Sequence, residues 1–265
     1  MRSGLRQTFS RNICNLLLVL TVLVSAGCTT TITGRETKVS PDRALDTHIN
    51  LGMQYLGEGN RDMARFHLLK ALDFDSRSAA AHNGMALLFQ MEMEHELADK
   101  HFRKAISSDS GFTTARNNYG VFLFKQQRYE EAFDQFAKAG DDTAYKMRPQ
   151  VFYSLGVTAE QLGRFEAAEE AWGKALTLAP RYAKPYLELS EHYFLQKDFE
   201  KARNYLIAFD KLARPEPRSL WLAVRLADHF GNKDRLASKG LALEKLFPNS
   251  RENLEYQKWL KNDAK

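Results

Sequence analysis

Hydrophobic residues follow two patterns along this chain. Residues 13–24 (ICNLLLVLTVLV) form a 12-residue apolar run. That is too short to cross roughly 30 Å of hydrocarbon, which takes about 20 residues. From about residue 45 onward, apolar positions recur with helical spacing and with a longer period. One alanine returns as Ala64, Ala98, Ala132, Ala168, Ala202 and Ala237, at intervals of 34, 34, 36, 34 and 35 residues. A second follows seven residues later in four units, as Ala71, Ala105, Ala139 and Ala175, with a bulky residue between the two (Leu68, Phe102, Phe136, Trp172) and Leu206 in the fifth. Upstream, a large–small pair repeats as Leu51-Gly52, Met85-Ala86, Tyr119-Gly120, Leu155-Gly156 and Leu189-Ser190. In RYEEAFDQFAKA the residues Ala132, Phe136 and Ala139 share one helix face at i, i+4, i+7. Gly59-Asn60, Gln127-Arg128 and Gly163-Arg164 mark turns between paired helices.

This pattern resembles the tetratricopeptide repeat, in which small residues let two antiparallel helices approach and large ones fill the gap between them. The resemblance implies an all-α, right-handed superhelix of six helix-turn-helix units, at about 45–78, 79–112, 113–146, 149–182, 183–216 and 218–250. Unit six is read as degenerate, with Arg225 at the glycine position and Leu241 at the aromatic one. Residues 251–265 are expected to form a helix that caps the stack.

Composition narrows the possibilities. Hydrophobic residues are 44% and charged residues 27% of 265, a globular balance that excludes a disordered or polytopic membrane chain. Two cysteines, Cys14 and Cys28, exclude a disulfide scaffold and a four-thiolate zinc site. The net charge of +5 is mostly a property of the N-terminus. Arg2, Arg6 and Arg11 face no acid within residues 1–27, and beyond them 35 basic residues meet 33 acidic ones. Nucleic acid is therefore not an expected partner, and a monomer is expected.

Residues 1–27 read as an export signal: arginines, an apolar core, then Ser25-Ala26-Gly27 before Cys28. The string resembles the bacterial lipoprotein signal, although Ser25 stands where that family prefers Leu. The resemblance implies that Cys28 becomes the mature N-terminus and carries covalent diacylglycerol and N-acyl lipid, with no other cofactor. Two or three chains, at about 0.8 kcal/mol per buried methylene, anchor durably. Thr29 follows Cys28, where Asp would by family habit retain the protein at the inner membrane. The implied location is the outer membrane, facing the periplasm. Residues 28–44 are expected to be a flexible tether.

No catalytic or metal site is evident. His95-Glu96-Leu97-Ala98-Asp99 begins like a zinc metalloprotease helix but has Asp99 in place of the second histidine, and is read as a solvated face. There is no glycine-rich phosphate loop, no GxSxG and no CxxC. Function is then expected at surfaces. In such a solenoid the first helix of each unit lines a concave groove. Counting from the small residue of each pair places Ile49, Met53 and Leu56, then Asn83, Leu87 and Gln90, then Asn117, Val121 and Phe124 in that groove. An apolar strip with amides suits a peptide.

A lipoprotein signal ahead of six such repeats resembles the PilF/PilW family, the type IV pilus biogenesis and stability lipoproteins. The strings LGMQYLGEGN, LLFQMEMEHELADKHFRKAISSDS and NNYGVFLFKQQRYEEA read like that family. The resemblance implies a pilotin that binds subunits of the pilus secretin and promotes their outer-membrane localisation and multimerisation. A generic envelope adaptor, serving protein assembly, a protease or a peptidoglycan enzyme, is the alternative. An enzyme would need a site the sequence does not display.

Overall fold

The computed structural model describes residues 40–263. The leader, Cys28 and the tether up to residue 39 lie outside the described residues. Within them are thirteen α-helices and no strand. They pair as α1 (Pro41–Gly57) with α2 (Arg61–Phe74), α3 (Ala79–Met91) with α4 (His95–Ser108), and α5 (Thr113–Lys125) with α6 (Tyr129–Gly140). Then come α7 (Arg148–Gln161) with α8 (Phe165–Leu178), α9 (Ala183–Leu195) with α10 (Phe199–Leu212), and α11 (Pro217–His229) with α12 (Lys233–Leu246). A last helix, α13 (Arg251–Asp263), packs on α11 and α12. The first helix takes in Pro41–Ala44, which the sequence assigns to the tether; Pro suits a first helical position because its missing N–H has no partner to lose there.

Each pair turns in the same way. The residue closing the first helix is left-handed, at Gly59 (φ 75°), Met93 (64°), Gln127 (59°), Gly163 (69°), Lys197 (63°) and Gly231 (65°). The next N–H then reaches back five residues, as in Asn60 N to Tyr55 O (2.9 Å), Arg128 N to Leu123 O (3.0 Å) and Asn232 N to Ala227 O (2.8 Å). This closure satisfies carbonyls that the helix end would otherwise leave open. Asn60, Asp198 and Asn232 then cap the second helix by accepting from the N–H three residues on.

Small and large residues meet sixteen positions apart within a unit. A Cβ on Gly52 would stand 2.7 Å from Leu68 Cγ, and one on Gly120 would stand 2.7 Å from Phe136 Cε1. Trp172 occupies the equivalent space beside Gly156. Ala64, Ala98, Ala132, Ala168 and Ala202 are fully buried with these partners.

Unit six obeys the same rule in a register one residue earlier than the alanine alignment gives. Its turn at Gly231 lies 34 residues after Lys197, so Leu236, not Ala237, takes the alanine position. The glycine position belongs to Val224, fully buried, and not to Arg225. The bulky position belongs to Gly240, while Leu241 is exposed. Small and large have exchanged places between the two helices, and Tyr256 of α13 fills what Gly240 leaves. The unit is inverted and not eroded.

Ion pairs tie successive units. Arg65 pairs with Glu92, Arg164 with Glu130 (2.8 Å) and Lys239 with Asp210 (3.1 Å). Asp99 is half-buried and not a solvated side chain as expected. It accepts from Arg103 (2.7 Å), Arg128 (2.6 Å) and the Tyr119 hydroxyl (2.8 Å). Burial pushes its carboxyl up, but these three bonds together hold it below the usual range.

Candidate functional site: the groove of the first helices

The first helices of successive pairs pack side by side, α1 on α3, α3 on α5, α5 on α7 and α7 on α9. The residues between their axes therefore form one continuous strip, and each groove position recurs at the repeat period. The structure divides the nine expected groove residues into three sets.

Two are not available to a partner. Leu56 is only 8% exposed and belongs to the core. Asn83 is 3% exposed, and its Oδ1 accepts from Asn118 Nδ2 at 3.1 Å. That amide holds α3 to α5 and is withdrawn from the binding surface. Five are half-buried between neighbouring helices: Ile49, Met53, Leu87, Gln90 and Asn117. Met53 and Leu87 also rest against the core.

The remaining two, Val121 and Phe124, are likewise half-buried against the core, and they also line a cavity of about 330 Å³ between α5 and α7. Lys125, Tyr153, Ser154 and Val157 complete its wall, with Phe136 beneath. Phe124 is held by an edge contact with Tyr129 at 5.2 Å between ring centres. Tyr153 and Val157 are the residues the sequence reading missed. They occupy the same offsets from Gly156 that Asn117 and Val121 occupy from Gly120, so the register extended by one unit finds them.

The electrostatics change on leaving this cavity. The Tyr153 hydroxyl donates to Glu188 Oε1 at 3.0 Å, and burial together with that carboxylate holds it well above its ordinary pKa. One turn beyond Val157, burial raises the Glu160 carboxyl, and Glu188 and Glu191 raise it further. Arg218 answers both of those glutamates, reaching Glu188 at 2.6 Å. The strip is thus apolar at this cavity and carries charged side chains beyond it, from Glu160 to Glu188, Glu191 and Arg218. An apolar cleft of this size accepts one or two aliphatic or aromatic side chains, each worth about 1.5–3 kcal/mol on full burial. Its walls offer shape, contact area and one ammonium.

Comparison with known proteins places this architecture. The tetratricopeptide repeat family matches residues 94–146 and 149–182. The chain is 39% identical over 243 residues to the type IV pilus assembly protein PilF of Pseudomonas aeruginosa, covering 90% of this chain and 96% of that protein. The solved structure of Pseudomonas aeruginosa PilF superimposes with a TM-score of 0.76 at 40% identity, over 82% of this chain and 98% of the other. PilW, a widely conserved type IV pilus biogenesis factor, gives 0.71 at 23% identity over 81% and 99% of the two chains. YrrB, a tetratricopeptide repeat protein with an unusual peptide-binding site, gives 0.59 at 19% identity over 72% and 97%; these last two share the fold. With the same stack of repeats and this identity along nearly its whole length, the chain belongs to the PilF/PilW family of type IV pilus biogenesis proteins.

Proposed function

We propose that the protein is a pilotin: a lipoprotein anchored through Cys28 to the outer membrane, whose groove binds a segment of the pilus secretin and promotes its localisation and assembly into multimers. The observation that carries this reading is the apolar cavity of Val121, Phe124, Tyr153 and Val157 on the strip of first helices in a PilF relative. An apolar cleft that faces a channel subunit before assembly shields surface the subunit later buries against its neighbours. The acyl chains determine the destination and the groove determines the cargo, so the mechanism is affinity without bond making.

The test is secretin multimer abundance in a deletion strain complemented with variants. Wild type restores multimers in the outer membrane. Val121→Asp, which sets an unpaired carboxylate against an apolar partner, leaves secretin monomeric while the pilotin stays folded. Cys28→Ser leaves the groove intact but misplaces the complex. Full multimer recovery with Val121→Asp would remove the groove from the account, and normal membrane association of Cys28→Ser would remove the anchor.

A further inference from the structure

A second cavity of about 320 Å³ lies between α9, α11 and α13, at the far end of the strip. Phe194, Leu195, Trp221 and Leu222 form its apolar side, and Leu195 is 69% exposed. Most of its charges are already answered. Arg218 binds Glu188 and Glu191, and Arg251 binds Glu255 at 3.0 Å. Arg225 and Glu252 are the exceptions, and no described residue accepts a hydrogen bond from Arg225. Its guanidinium lies over the Phe194 ring, 4.0 Å from the centre, with Trp221 at 5.9 Å. Burial lowers its pKa, and Glu191 and Glu255 only partly offset that.

Stacking uses the flat face of a guanidinium and leaves the N–H edge free. That edge is open to a ligand, and the planar fork fits a carboxylate with two parallel bonds. A phosphate dianion fits less well, because Glu191, Glu252 and Glu255 also line the cavity and repel a second negative charge. We propose that this cavity is a peptide-binding site distinct from the pocket of units three and four. It takes a segment with a single carboxylate beside an apolar side chain, the carboxylate on the edge of Arg225 and the apolar group against Leu195 and Trp221. This site stands whatever partner the other pocket takes.

Fluorescence anisotropy on the full purified chain in detergent tests it with three labelled octapeptides in a Gly/Ser background. One carries internal Leu-Glu-Leu with an amidated end, one Leu-Gln-Leu amidated, and one Leu-Gln-Leu with a free terminal carboxylate. At least one carboxylate peptide should bind about tenfold more tightly than the neutral one, as expected of a charge-assisted hydrogen bond. Which one does so identifies a side chain or a chain end as the source. Arg225→Gln should erase the preference, Arg225→Lys should keep part of it, and Val121→Asp should leave it unchanged. Leu195→Glu, at the exposed rim, should weaken the carboxylate peptide without touching the stacked arginine, which keeps the test valid if Arg225→Gln unfolds the end unit. Equal affinity for charged and neutral peptides would overturn the proposal. So would a preference that survives Arg225→Gln or Leu195→Glu, or one that Val121→Asp removes.

Discussion

Tyr256 of the last helix fills the space that Gly240 leaves open, so that even a methyl group on Gly240 would overlap the tyrosine ring and hydroxyl. In the five preceding repeats that position holds Leu68, Phe102, Phe136, Trp172 or Leu206, and the residue supplying the room is on the first helix. The end of the solenoid is therefore sealed by a side chain borrowed from α13, and Val224 replaces the small residue without a clash.

Gly240→Ala should destabilise the C-terminal end by about 1–3 kcal/mol, because the ring has to leave a filled site. Tyr256→Ala should cost about 3 kcal/mol through the cavity it opens. The double variant should cost less than the two together, since both changes act on one contact. Trp221 and Trp259 lie 6.0 and 6.1 Å from the Tyr256 ring, so tryptophan fluorescence during urea denaturation reports on this end. Additive losses would show that the two residues do not share the space.

The left-handed turns yield a gain. Met93, Gln127 and Lys197 hold positive φ without being glycine, a conformation that costs an L-residue roughly 1–2 kcal/mol. Met93 is 71% exposed, so its side chain contributes little there. Met93→Gly should stabilise the protein by about 0.5 kcal/mol once the added freedom of the unfolded chain is deducted. The triple glycine variant should gain roughly three times that, because the turns lie in separate repeats. Thermal melts check this, and a lowered melting temperature for Met93→Gly would contradict it.

Legibility of the fold followed local chemistry. Gly59-Asn60 and Gly163-Arg164 announced their turns, whereas Met93 and Lys197 could be placed only by the 34-residue spacing. In unit six Ala237 imitates the repeating alanine while Val224 and Gly240 exchange sizes, so the alanine spacing alone points to the wrong register. The pair Gly231-Asn232 repeats Gly59-Asn60 and carries the correct register. In the groove, periodicity gave the strip but not the depth of each side chain. Leu56 packs into the core, and Asn83 is claimed by Asn118 on the next repeat. Such tertiary coverage has no signature within one helix. Tyr153 and Val157, by contrast, stand at the groove offsets counted from Gly156 and are legible from the repeat alone.

Two imidazole pairs one repeat apart predict a pH response. His48 Nδ1 faces His67 Nδ1 at 2.9 Å, and His82 Nδ1 faces His101 Nδ1 at 3.2 Å. Each contact requires one of the two facing nitrogens to accept, so both cannot carry a proton at once. Burial, then His82, lowers the His101 pKa to about 4; burial also lowers His82 and His48. With folded values below the unfolded 6.5, the unfolded chain takes up protons first. Stability is complete above pH 6.5 and falls as the pH drops toward 4. His101→Phe should flatten that slope. NMR titration should place the His101 midpoint near 4; a midpoint at or above 6.5 would contradict the pairing.

The most direct measurement of the central claim is site-specific photocross-linking in cells that assemble pili. A benzophenone side chain is placed at Val157 in the groove, or at exposed Glu170 on α8. The pocket of Val121, Phe124, Tyr153 and Val157, if it holds secretin, gives a secretin adduct from position 157 and none from position 170. The adduct at 157 is lost when Val121→Asp is added. A secretin adduct from position 170 with none from 157 would place the binding surface on the second helices and contradict the account.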